Sequence, residues 1–234
     1  MRFVNTMQEK MIGEMLEHFG IKEMIKESER DIILTLLRKV EKEGMERLIQ
    51  YLCGECDFFT APASTKFHGN YEGALAVHSL NVLALLTKKN NDYGLGLTDD
   101  ECIISALMHD LCKVNFYATG YRNVKVYREN GAKSDNGGRF DWVTQTSYEI
   151  NDSFPVGHGD KSIIMLQNFM KLTTNEILLI RWHMGAFSVT TDYEYNNAVN
   201  FLPIIAAMHS ADAEAAALME IKLEADEKIE DKYI

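Results

Sequence analysis

The chain carries His78, the adjacent pair His109-Asp110, His158, His183 and Asp212, in that order. Imidazole nitrogens and carboxylate oxygens are the side-chain donors for borderline divalent metals. Here they are spread over most of the sequence, as a cage assembled by folding requires. The chemistry they predict is metal-assisted hydrolysis. Adjacent residues on a helix lie about 100° apart, so His109 and Asp110 do not chelate one ion as an i, i+4 pair does. They can each face a different ion, or one of them can bridge two. Asp110 also follows an apolar run of Ile103, Ile104, Ala106, Leu107 and Met108, which carries it towards the interior. An unpaired carboxylate is costly there, and a metal or a His and Lys partner relieves the cost.

These groups need elements to hold them. Thr98-Asp-Asp-Glu101 and Thr173-Thr-Asn-Glu176 are capping boxes, in which the Thr hydroxyl and the Glu carboxylate satisfy each other's backbone amides. The first box starts a helix ending in His109-Asp110, and the second a helix ending near His183. Apolar spacing predicts a helix from about 71 to 89 that carries His78 and is ended by Asn90, Asn91, Gly94 and Gly96. A further helix begins near Gly159, just after His158. A last one covers about 197 to 225, with Asp212 on it, bent or restarted at Pro203. Residues 1–55 read as helical, punctuated by Gly20 and Gly44. Between about 115 and 149, aromatic and β-branched residues flank Asn130-Gly131 and Gly137-Gly138, the signal of a hairpin. Trp142, Tyr148 and Phe154 are expected to pack in the core, with an aromatic wall for a base as the other use. Taken singly, each ligand candidate has an ordinary explanation, such as a satisfied core histidine at position 78. Taken together, they point to a metal centre.

Composition sets the outer limits. With 234 residues, 46% of them hydrophobic, the chain suffices for one sizeable core. We read a 1–55 helical segment packed on the core, a single unit over 56–225 and a charged tail over 226–234. Lys and Arg number 24 against 35 Asp and Glu, a net charge of -11, which opposes a broad nucleic-acid surface. No apolar stretch approaches the length of a membrane span. Cys53, Cys56, Cys102 and Cys112 include one CxxC without a second to complete a zinc site, so reduced thiols in a cytoplasmic protein are expected.

The pattern His78…His109-Asp110…Asp212 resembles that of the HD-domain superfamily of metal-dependent phosphohydrolases, and His158 and His183 fall where its two-metal members add two histidines. The resemblance spans roughly 55–215. Segments Phe67–Gly73, His109–Lys113 and His209–Asp212 look most like the catalytic domain of bacterial HD-type 3′→5′ exoribonucleases, without the OB-fold domain of those enzymes. One departure is Ala74-Leu-Ala-Val77, where relatives often read Gly-Leu-Leu-Glu, so a role for an acid next to His78 has no counterpart.

The resemblance implies an all-α, HD-domain helical bundle with a β-hairpin insertion near the active site. It also implies attack by a metal-bound hydroxide on phosphorus in a nucleotide or short oligonucleotide. Asp110 would bridge two ions, with His78, His109 and Asp212 completing one site and His158 and His183 the other. Four imidazoles favour Mn, Fe, Co, Ni or Zn over Mg. Lys113, one helical turn from Asp110, would pair with it or reach the substrate, and Lys66, His68, Lys161 and Arg181 would bind the phosphate. The expected partner is a small phosphorylated substrate, with no membrane involved and a homo-oligomer open. Two other readings use the same residues: a non-catalytic nucleotide-sensing module and a di-iron oxygenase.

Overall fold

The computed structural model describes residues 6–65, 69–127, 140–188 and 192–220 of the chain. Lys66 and His68, the hairpin tip around Asn130-Gly131 and Gly137-Gly138, and everything from 221 onward lie outside the described residues. The amino-terminal part folds as α1 (Thr6–His18), a short 3-10 turn, α2 (Glu29–Lys39) and α3 (Met45–Gly54). Ser28 caps α2 by accepting from the Asp31 amide. Helix α1 lies along α4 (Ala74–Tyr93). Ile12, Met15 and Leu16 of α1 share one apolar core with Leu36, Leu48, Leu80 and Leu107.

Helix α4 starts and ends later than its spacing predicts. Gly73 sits at φ 82°, a left-handed conformation that keeps the helix from beginning before Ala74. Asn90 stays helical because its side chain is used elsewhere. Its amide donates to Leu97 O and its carbonyl accepts from Leu97 N, both at 3.0 Å, pinning the turn that follows the helix.

Both capping boxes form. They open α5 (Asp99–Met108) and α7 (Thr174–Trp182), and each is worth about 1 kcal/mol. The two are also joined, because Glu101 Oε1 accepts from Thr173 Oγ1 at 3.1 Å and from Asn175 Nδ2 at 2.9 Å. Helices α5 and α7 therefore start side by side and pack along each other, and His109 and His183 cap their far ends.

Helix α6 (His158–Gln167) packs on α7 and on the 3-10 turn Leu111–Lys113. The predicted last helix is in fact two. They are α8 (Asp192–Phe201) and α9 (Ile204–Glu214), separated at Pro203, with a π-helical turn Ala215–Met219 after them.

Among the described residues the only sheet is the hairpin β1 (Tyr117–Tyr127) and β2 (Phe140–Ile150), antiparallel from Tyr117↔Ile150 to Tyr127↔Phe140. Its base is closed by Asn151 N donating to Phe116 O at 2.9 Å. Trp142 is 62% exposed and Phe154 41%, so these two are not core residues. A two-stranded ribbon has no second layer to cover it, which leaves such side chains to solvent. Among the described residues no helix is long and apolar enough to cross a membrane. All four cysteines are free.

Candidate metal centre

Five separate segments deliver the six expected ligands to one place. His78 comes from the second turn of α4, His109 and Asp110 from the end of α5, His158 from the first residue of α6, His183 from the end of α7 and Asp212 from α9. Close packing of α6 against α7 makes this possible. A Cβ on Gly159 would lie 2.6 Å from the carbonyl oxygens of Ile180 and Arg181, so only glycine lets His158 approach the His183 end of α7.

His78, His109 and Asp110 offer ligand atoms all within 4.8 Å of one another, and Asp110, His158 and His183 form a second such triplet. Asp110 belongs to both. Its Oδ2 faces His109 Nε2 at 3.4 Å and His78 Nε2 at 3.7 Å, while its Oδ1 faces His158 Nε2 at 2.6 Å and His183 Nε2 at 3.5 Å. Asp212 Oδ1 adds to the first triplet, 3.0 Å from His78 Nε2 and 3.7 Å from His109 Nε2. Divalent first-row ions bind such atoms at about 2.0–2.2 Å, which places neighbouring ligands about 3.0–3.5 Å apart around one ion. Most of the observed separations fall in or near that range.

The hydrogen bonds on the far side of each ring test the fit. His109 Nδ1 lies 2.8 Å from Ala106 O, and His183 Nδ1 lies 2.7 Å from Ile180 O. A carbonyl only accepts, so both Nδ1 atoms donate, and each ring turns its Nε2 to the cluster. His183 Nε2 is buried, has no hydrogen-bond partner among the described residues, and looks at a carboxylate oxygen. Imidazole nitrogens and carboxylate oxygens converging on one place fit a cation, and backbone carbonyls behind the rings are the usual way metal-bound histidines are oriented.

Glu220, which the sequence reading missed, does the same for His78. Its Oε1 accepts from His78 Nδ1 at 2.7 Å, and both side chains are 1% exposed. Asn81 Nδ2 reaches the same oxygen at 3.5 Å, and Gln8 Nε2 of α1 donates to Asn81 Oδ1 at 3.0 Å, so the amino-terminal helix is tied to a ligand. His209, also without a predicted role, donates Nδ1 to His183 O at 2.7 Å. A lone Glu in the run Ala215-Ala-Ala-Leu-Met-Glu220 bears no spacing that marks it.

The charges agree with this geometry. Burial opposes ionisation of Asp110, yet the Lys113 ammonium and the neighbouring histidines hold its carboxyl well below the usual range. Burial likewise opposes the charge on His78, but Glu220 and Asp212 outweigh it and push the imidazole up to about 10. His158 also reaches about 10, against burial, through Asp110 and Cys112, whose Sγ lies 3.4 Å away. The cluster thus attracts positive charge strongly. Burial lowers His183, which keeps its lone pair.

Lys113 Nζ sits 2.6 Å from Asp110 Oδ2 and is held charged by it despite burial. Lys161 and Arg181 are committed elsewhere. Lys161 Nζ is 2.6 Å from Asp152 Oδ1 and lies over the Phe116 ring, while its amide donates to Gly157 O in the helix. Arg181 Nε is 2.6 Å from Asp160 Oδ1, with its guanidinium over Trp182. Lys66 and His68 lie outside the described residues. Of the ligand side chains, His158 at 30% and Asp212 at 16% are the exposed ones, so the cluster opens on that side.

Comparison with protein-family models, with curated proteins and with solved structures finds no match for this chain.

Proposed function

We propose that this protein is a metal-dependent phosphohydrolase or phosphodiesterase with an HD-type site, acting on a nucleotide or short oligonucleotide. One observation carries the reading: Asp110 presents one oxygen to each of two histidine sets. A single-ion site has no need of that division, whereas a two-ion site needs a shared carboxylate. The order His78, His109-Asp110, His158, His183, Asp212 supports it from the sequence side.

Two divalent ions held there, from Mn, Fe, Co, Ni or Zn, supply Lewis acidity for the phosphate oxygens and a lowered pKa for bound water. The chain's own groups do the rest. His78, His109 and Asp212 would hold one ion and His158 and His183 the other, with Asp110 shared between them. Lys113 keeps Asp110 ionised and adds a fixed positive charge beside it, which steadies charge that builds on phosphoryl oxygens. Substrate enters on the side of His158 and Asp212, where the ligands meet solvent. The net charge of -11 favours a small substrate that docks by its phosphate over a long nucleic acid.

The test is a screen of nucleoside mono-, di- and triphosphates, cyclic nucleotides and short RNA. It uses metal-stripped chain reconstituted with Mn or Ni, with elemental analysis of the same sample. Hydrolysis that appears only with metal, together with more than one ion per chain, is the expected result. Full activity in metal-free protein, or no turnover of any phosphate by chain carrying two ions, would sink it. Oxygen uptake by iron-loaded chain would move the reading to an oxygenase.

A further inference from the structure

A cleft of about 550 Å³ lies between residues 57–62 and 70–72 on one side and the base of the hairpin on the other, within the size range of small-molecule sites. One wall carries Asp57, Asn70, Tyr71 and Glu72. The hairpin supplies Tyr117, Thr146 and Tyr148 opposite them. Both walls continue directly from metal-ligand segments. The first wall runs into α4, six residues before His78, and Gly73 N and Leu75 N bond back to Thr60 O and Ala61 O. The second starts at Tyr117, four residues after Lys113, and is anchored by the Tyr117 hydroxyl donating to Ala63 O at 3.3 Å.

Tyr71 and Tyr117 are half-buried in this lining. Burial pushes both Tyr117 and Tyr71 up to about 12. Tyr117 also feels the charges of Lys113 and Asp110, and Tyr71 that of Glu220.

The chemistry of this lining differs from that of the metal centre. No Lys or Arg lines the cleft among the described residues, and Asp57 and Glu72 make it negative, so a phosphate is repelled. What it offers is hydrogen-bond acceptors beside aromatic rings. Asn70 Oδ1 is buried and has no hydrogen-bond partner among the described residues, an acceptor left for a donor. Asp57 Oδ1 is fixed in the wall by the Asn115 amide at 2.6 Å. Tyr117 and Tyr148 meet edge to face, with centroids 6.5 Å apart. The complement of such a surface is a flat, uncharged ring whose edge donates N–H bonds.

We propose that this cleft is the base subsite, taking a nucleobase with an exocyclic amino group against its tyrosines, with the amino hydrogens on Asn70 Oδ1 and the carboxylate side. This inference rests on the phosphohydrolase reading, in which the phosphate end of the same substrate reaches the ions. The hairpin is then a specificity element, and the division of labour is by charge. Cations bind phosphate and acceptors bind the base.

The experiment titrates the full chain, metal-free, with cytidine, adenosine and uridine, followed by calorimetry or protein NMR. None of these carries a phosphate, so the metal centre contributes nothing to the signal. Cytidine or adenosine should saturate. Uridine, which turns a carbonyl where cytidine has an amino group, should bind about tenfold or more weakly, the weight of one hydrogen bond to a charged or buried group. Asn70→Ala and Tyr148→Ala should each weaken cytidine binding while leaving the number of metal ions per chain unchanged. Tyr148 stands on the hairpin and not in the core, so its variant keeps the test valid if Asn70→Ala misfolds. No saturation by any nucleoside, uridine binding as well as cytidine, or unchanged binding in both variants would overturn the subsite. A chain that binds two ions and cleaves a phosphate but ignores nucleosides defeats this inference alone. A chain that binds cytidine but no metal defeats the phosphohydrolase reading alone.

Discussion

Glu176 and Asp110 are both carboxylates sealed in the helical core, yet the company they keep differs in kind. Around Glu176 every acceptor meets a donor. Its Oε1 takes Lys42 Nζ at 2.6 Å, its Oε2 takes the Thr173 amide at 2.7 Å, and Thr173 Oγ1 passes its own proton to Glu101. Around Asp110 the ligand atoms crowd: Lys113 Nζ sits 2.6 Å from Oδ2, and the two oxygens also face four imidazole Nε2 atoms, two of them on rings whose Nδ1 is taken by Ala106 O and Ile180 O. The first cluster is closed and needs nothing. The second gathers four imidazoles and a second carboxylate around Asp110, and that convergence of metal-ligand atoms, more than the burial of a carboxylate, separates a ligand cage from a structural ion pair.

Substitutions at the two places should therefore fail in opposite ways. The largest effect is expected for Asp110→Ala or His109→Ala, which should abolish metal-dependent hydrolysis and lower the number of bound ions while circular dichroism stays helical. Loss of helix content with retained metal would erase the contrast. Next comes Lys42→Met, which leaves the Glu176 carboxylate buried without its cation and should cost about 3 kcal/mol in urea unfolding. Ion stoichiometry should stay at the wild-type value, and a fall in metal content would mean the two clusters are coupled.

Glu220→Ala should reduce the affinity of the His78 site for metal by about tenfold to a hundredfold, as loss of a partner behind a ligand does. Glu220→Gln should recover part of it, because an amide carbonyl still accepts from His78 Nδ1. Thr173→Ala is the smallest. It removes one cap and should cost about 1 kcal/mol of stability with no change in metal binding.

The local elements were legible because their signals are local. Thr98 and Thr173 with Glu three residues on mark helix starts whatever the rest of the chain does, and the hairpin shows in its residue types and glycine pairs. Asp110 after an apolar run could be placed in the interior for the same reason. The errors came where a residue's use depends on a distant one. Asn90 looked like a helix end but spends its side chain on Leu97, extending α4. Trp142 and Phe154 looked like core residues but are 62% and 41% exposed, on or beside a ribbon with no second sheet behind it among the described residues.

By itself the sequence determined the inventory of this protein: which donors exist, in what order, and on which helix ends they ride, since caps and periodicity act over a few residues. Tertiary structure alone decided that Asp110 turns one oxygen to each pair of histidines, that Glu220 stands behind His78, and that an acceptor-lined cleft opens between the residues before α4 and the base of the hairpin. Those facts depend on separations of a few ångströms between segments up to 142 residues apart, and only the packing of the helices sets them.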